Sequence, residues 1–182
     1  MKKLLSFGIQ VLAAMCVGSP SGGAQAQTLP PGASARTEIL TYDNWTVTCR
    51  EVWEPREKRS CTAELSIIQD ANKTRRVLLA WTIAPNKDGV LTSTLRFLPG
   101  VQIAPGVELK FSDKARRKFS ITTCEPAYCE ATISLDEAFV RDASAVTQAE
   151  AIIQSSDGRQ ANITINMTGF ARSLAMVRSA AR

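Results

Sequence analysis

Apolar and polar residues alternate with a period of two through most of this chain, and turn-forming residues break the pattern at short intervals. Strands with one buried and one exposed face produce this pattern, because successive side chains leave a strand on opposite sides. In NWTVTCRE, Trp45, Val47 and Cys49 share one face while Thr46 and Thr48 share the other. SCTAELSIIQ follows, then a turn-like DANKT, then RRVLLAWTIA, which is almost continuously apolar and ends at Pro85. NKDG supplies a turn, GVLTSTLRFLPG alternates again, and GVELKF places Val107, Leu109 and Phe111 on one side. RKFSITTC, YCEATISL and two strands joined around Asp157-Gly158 complete the set, the last pair being a strong hairpin signal. Two segments depart from this period. Ser134-Leu-Asp-Glu137 has the form of a capping box, which opens a short helix in LDEAFVRDASA. GFARSLAMVRSAA carries Phe170, Leu174 and Val177 at helical spacing, with Thr168 as N-cap. The expected fold is therefore mainly β: an antiparallel β-sandwich with a short helix, a C-terminal helix and two disulfides.

The domain reading starts at the N-terminus. Lys2 and Lys3 precede an apolar run from Leu4 to Val17, and small residues lead to Ala24-Gln25-Ala26. This is the layout of a secretory signal peptide over residues 1–26, with cleavage before Gln27. Residues 27–36 are small, polar and Pro-rich, and read as a flexible leader. Residues 37–182 form one domain, since the chain's 182 residues suffice for a single sizeable core. The apolar run is too short to remain as a membrane span. Removing Lys2 and Lys3 takes the formal charge from +5 to +3, a mild basicity that does not indicate nucleic acid.

Loss of Cys16 with the signal leaves Cys49, Cys61, Cys124 and Cys129. An even number of cysteines in an exported chain implies disulfides. Zinc sites favour two close cysteine pairs, whereas one pair here is C-x11-C. A thioredoxin-type site has C-x-x-C opening a helix, whereas Cys124 and Cys129 enclose four residues including Pro126, between strands. Both pairs therefore read as covalent braces between neighbouring strands, Cys49–Cys61 and Cys124–Cys129. The chain contains no histidine, which removes Ser-His-Asp and Cys-His hydrolase chemistry, and it has no phosphate-binding glycine loop. Neither a catalytic centre, a metal nor a cofactor is expected.

The remaining candidates are contact residues. Lys114, Arg116, Arg117 and Lys118 crowd one short stretch, and Arg56, Lys58 and Arg59 form a second. Such stretches suit solvated hairpin tips or an anionic surface such as lipopolysaccharide. Trp45 and Trp81 lie on apolar strand faces and belong to the core, whereas Trp53 sits among polar residues as an exposed contact. Tyr128 is held out by the Cys124–Cys129 brace and is a second contact candidate.

Taken in order, several elements resemble the invasion-associated locus B family of exported bacterial proteins. They are the signal peptide, NWTVTC with Cys61, LPGVQIAPGVELKF, the C-x4-C within TTCEPAYCEATISLDEAF, and the closing TGFARSLAMV. The resemblance implies a β-rich fold, an envelope location and, in pathogenic members, an association with entry into host cells. It brings no catalytic motif. The expected function is that of a non-enzymatic protein in the periplasm or at the cell surface. It would act on an envelope or host-surface protein or glycan, with peripheral membrane contact at most. The alternative is a periplasmic envelope-maintenance protein that holds a lipid or a partner, and a thiol redox enzyme is the least favoured reading.

Overall fold

The computed structural model describes residues 35–53, 58–71 and 74–181; the expected signal peptide and most of the expected leader lie outside them. Ten strands form in chain order: β1 Ala35–Tyr42, β2 Trp45–Val52, β3 Lys58–Ala71, β4 Thr74–Pro85, β5 Leu91–Phe97, β6 Val107–Lys110, β7 Arg116–Cys124, β8 Cys129–Ser134, β9 Gln148–Gln154 and β10 Gln160–Asn166. Helix α1, Glu137–Ser144, lies between β8 and β9, and α2, Phe170–Ala180, closes the chain. β1 begins at Ala35, inside the span read from the sequence as leader.

All pairings are antiparallel, in the order β1-β2-β3-β4-β5-β8-β7-β6-β9-β10. The mainly β fold with two helices and two disulfides is the one the alternation implies, and its layers are parts of one continuous sheet. That sheet curls strongly. β4 and β10 stand six positions apart, about 29 Å in a flat sheet, yet Leu78 of β4 and Ile163 of β10 line one cleft.

The curl encloses the apolar face of each strand. Trp45, Val47 and Cys49 of β2, Leu79, Trp81 and Ile83 of β4, and Val107 and Leu109 of β6 are all buried. Their neighbours in sequence face outward, as period-two alternation requires. The helices fill the space between the two arms of the curl. Phe139 of α1 packs edge-on against Trp81, Phe111 and Phe119, at centroid distances of 6.3, 5.3 and 6.1 Å. Phe170 of α2 meets Trp45 and Trp81 at 5.5 and 5.8 Å. Trp81 buries its polar edge without an unmet donor, since Nε1 donates to the buried Ser93 hydroxyl at 2.7 Å.

Both helix starts differ from the sequence expectation. Ser134 is the last residue of β8, opposite Thr92, so it belongs to the sheet. Asp136 caps α1 instead, accepting from the Phe139 amide at 2.6 Å. At α2 the N-cap is Gly169, with φ at +91° and no side-chain cap. A β-carbon there would press into the Tyr42 carbonyl, so the glycine permits both the turn and the close approach to β1.

The tight β9–β10 connection is held by Asp157, whose carboxylate accepts from the Arg159 amide and guanidinium. The Ser155 hydroxyl, then these Arg159 donors, hold the Asp157 carboxyl below its ordinary value of 3.8. A group depressed on folding adds its stabilisation above the ordinary value and loses it as pH falls through the folded one. The Arg159 amide resonance is therefore expected to titrate with a midpoint below 3.8; a midpoint at or above it in an NMR titration would contradict this loop geometry.

Candidate functional site

The basic stretch at 113–118 forms the tip and return strand of the β6–β7 hairpin, where strand alternation divides it. Arg116 and Lys118 face outward, while Arg117 shares the inner side with Phe119 and reaches α1, donating to Asp142 Oδ2 at 2.7 Å. That ion pair is partly buried, at 23% and 16% side-chain exposure, and ties the hairpin to the helix. Lys114 is exposed at the tip. Beside it, Lys110 pairs with Asp113 at 2.9 Å and keeps the Asp113 carboxyl below its ordinary range, chiefly through that hydrogen bond. Four clustered cations thus become one helix tether, one tip lysine and two outward residues.

Those two outward residues join a larger arrangement. Across the outer face of β7, β6, β9 and β10, one row runs Arg116, Lys110, Glu150, Thr164, and the next Lys118, Glu108, Ile152, Asn162. Arg116 donates to Glu108 Oε1 at 2.8 Å, diagonally between the rows. Gln154 and Gln160 continue the face, and Gln160 Nε2 donates to Asn162 Oδ1 at 2.8 Å. Gly106 leaves a gap at its edge, and a β-carbon there would meet the Phe119 carbonyl, so no side chain can fill the space. The result is a shallow hollow of about 430 Å³ with an isoleucine floor and a rim of both charges and amides. Lys118 and Glu150 have no ion-pair partner within 4.0 Å among the described residues, which leaves one cation and one carboxylate of the rim for an incoming group.

The other contact candidates stand apart from this hollow. Tyr128 is half-buried: the Arg96 guanidinium lies 5.0 Å from its ring centroid while Arg96 Nε donates to Glu130 Oε2 at 2.8 Å. That hydrogen bond raises the Arg96 pKa further above its ordinary value. Trp53 follows β2 and is 40% exposed. The register separates the two, because Val52 pairs with Lys58 while Cys129 aligns through Phe97 and Leu79 with Ile67. Nine residues along β3, roughly 30 Å, divide Trp53 from Tyr128. In the second basic stretch Arg59 pairs with Glu38 at 2.8 Å, and Arg56 lies outside the described residues.

Both cysteine pairs are bonded as the sequence indicates, and each joins directly opposed residues of adjacent strands. Cys49 and Cys61 are buried on the core face between β2 and β3. Cys124 is exposed and Cys129 buried at the β7–β8 turn, where the Glu125 amide donates to the Tyr128 carbonyl at 2.8 Å. Among the described residues no group of three histidine, cysteine or acidic side chains could hold a metal ion. No helix among them is long and apolar enough to cross a membrane.

Sequence reasoning missed Glu108, Glu150, Ile152, Gln154, Gln160 and Asn162. Each shows the outward phase of its strand, but nothing local says that β6 pairs with β9.

Fold and surface together define a disulfide-braced antiparallel β protein that carries cross-strand and strand–helix ion pairs on its surface. The family model described as Invasion associated locus B (IalB) protein matches residues 45–178. The chain belongs to this family. It is 27% identical over 151 residues to Invasion protein B of Bartonella bacilliformis, covering 81% of this chain and 77% of that one. An Invasion protein B homolog of Brucella abortus is 32% identical over 113 residues, covering 61% of this chain and 60% of the relative. The crystal structure of invasion associated protein B from Bartonella henselae superposes with a TM-score of 0.64 at 23% identity. That match covers 78% of this chain and 96% of the other and supports the shared fold.

Proposed function

We propose that this chain is an exported, non-enzymatic cell-envelope protein that acts by contact, with the outer-face hollow of β6, β7, β9 and β10 receiving a protein or surface glycan. The observation that carries this reading is the hollow itself. Paired charges and amides converge around Ile152, and the bare Gly106 keeps the space open. Donors and acceptors of both signs beside a small apolar floor suit a hydroxyl-rich or zwitterionic surface better than a purely anionic one. Export is supported by the N-terminal sequence pattern and by two disulfides, which persist in oxidising compartments. An association with host-cell invasion is supported by the names of the relatives.

The test is capture of envelope or host-surface components on the immobilised mature chain. Lys118→Glu is expected to lower retention of the captured component about ten- to a hundredfold, as loss of a charge-assisted hydrogen bond of about 1.5–3 kcal/mol implies. Its unfolding temperature should fall only slightly, since Lys118 is exposed although the new carboxylate stands across from Glu108. Equal retention by Lys118→Glu and the unaltered chain would remove the hollow from the contact. Protease treatment of intact cells addresses location, and complete protection would exclude direct host contact.

A further inference from the structure

A second concavity lies on the inner side of the sheet, where the curl fails to close. β3 and β4 outrun their neighbours: β2 pairs with β3 only as far as Glu64, and β5 with β4 only as far as Leu79. The rest is a free-standing arm. A bulge interrupts it between Ile67 and Ile68, where Ile67 opposes Leu79, Ile68 opposes Val77, and Leu78 is the extra residue. An extra residue resets the alternation and re-aims the side chain beside it. Leu78 accordingly joins Gln69 in facing β9 and β10, while Ile68 and Val77 fall on the other side and stand 37% and 48% exposed.

Between the arm and the β9–β10 hairpin runs a cleft of about 350 Å³, lined mainly by apolar groups that include Leu78, Phe97, Leu98, Val101, Ile153 and Ile163. Leu98 is 41% exposed at its mouth, and Ile103 on the same connection is 58% exposed. Four of the seven large exposed hydrophobics among the described residues therefore gather at this end: Ile68, Val77, Leu98 and Ile103. Cations accompany them. Arg76 lies directly across from Gln69 and so on the cleft's side of the arm, with Arg75 next to it. Neither arginine has an ion-pair partner among the described residues.

We propose that this end of the molecule docks on an anionic phospholipid surface, with the cleft between the β3–β4 arm and β10 taking one acyl chain and Arg76 the phosphate. Apolar lining fixes the chain, an unpaired guanidinium on the cleft's side of the arm fixes the head group, and Ile103, with Ile68 and Val77 on the arm's other side, meets the surrounding lipid. This surface lies on the other side of β9 and β10 from the polar hollow and shares only Asn162 with its lining, so either one can fail without the other.

The test is co-sedimentation of the mature chain with phosphatidylcholine vesicles containing phosphatidylglycerol, against vesicles of phosphatidylcholine alone. Binding to the anionic vesicles is expected, with about a tenfold loss for Leu98→Asp, in keeping with withdrawal of one leucine from an apolar contact. Arg76→Glu should lose a similar factor, and Lys118→Glu should bind as the unaltered chain does. Both cleft variants alter exposed residues, so unchanged thermal unfolding confirms that they fold. Equal binding by Leu98→Asp and the unaltered chain would reduce the interaction to net charge and overturn the proposal. Absence of vesicle binding would overturn it as well. So would protection of the β10 amides by an extended apolar peptide with no effect of lipid, which would assign the cleft to an added strand.

Discussion

Phe139→Ala is expected to lower the unfolding free energy by about 3–5 kcal/mol, the usual cost of emptying a buried phenylalanine site. Burial alone does not set that value at the upper end; position does. α1 has only eight residues, too few to persist as an isolated helix. Its place depends on Phe139 and Ala143, its two buried side chains, and on the Arg117–Asp142 pair. Phe139 alone touches the rings of Trp81, Phe111 and Phe119, which come from the two arms of the curl. Removing it withdraws the aromatic group that β4 shares with the β6–β7 hairpin. Asp142→Asn, by contrast, weakens a partly exposed pair and is expected to cost no more than about 1 kcal/mol. Urea denaturation followed by tryptophan fluorescence measures both. If Phe139→Ala cost less than Asp142→Asn, the helix would be held by its ion pair and the keystone role would fall.

The contrast between those two residues shows how far the sequence can be read. Phe139 is visible as one apolar residue in a short amphipathic segment, but its three partners lie on elements that only the curl brings together. The strands themselves were legible, because Trp45, Val47 and Cys49 or Leu79, Trp81 and Ile83 record one buried face. The cysteine braces were legible for a related reason: each links strands that follow one another in the chain, so local spacing carries the information. Helix caps were less so. Ser134 satisfies the capping pattern, yet the sheet takes it as the last residue of β8, and Asp136 does the capping. The sheet order beyond β5 was illegible. β8 pairs with β5 and β6 with β9, across intervening segments that leave no local trace, and both concave surfaces depend on those pairings. Lys118 could be singled out as one of four basic neighbours, but its place in a row with Glu108, Ile152 and Asn162 required the fold.

The two disulfides should differ in how they respond to reductant and in what their loss costs. Under mild reduction of the native chain, a thiol reagent is expected to label Cys124 first, while the buried Cys129, Cys49 and Cys61 stay unlabelled until the protein unfolds. Access decides this, because exchange requires a thiolate to approach one sulfur of the bond. Cys124 is exposed, whereas Cys49 and Cys61 are 2% and 1% exposed behind the β2–β3 ladder. Loss of each bond also relaxes the unfolded chain to a different degree. Closing the loop between Cys49 and Cys61, 12 residues apart, is worth about 3 kcal/mol, and the loop between Cys124 and Cys129, 5 residues apart, about 2 kcal/mol. Substitution at the first pair further disturbs packing at two buried cysteines beside Val47 and Ala63, whereas in the second pair only Cys129 is buried and Cys124 is open to solvent. Replacing Cys49 and Cys61 together by alanine should therefore destabilise the chain by more than 3 kcal/mol, and the Cys124–Cys129 double variant by about 2 kcal/mol. Denaturant midpoints of the two double variants, with mass spectrometry of the labelled thiols, check both halves. Simultaneous labelling of all four cysteines at low reductant would show that the β2–β3 ladder opens as readily as the β7–β8 turn, and would remove the core disulfide from its place as the main brace of the sheet.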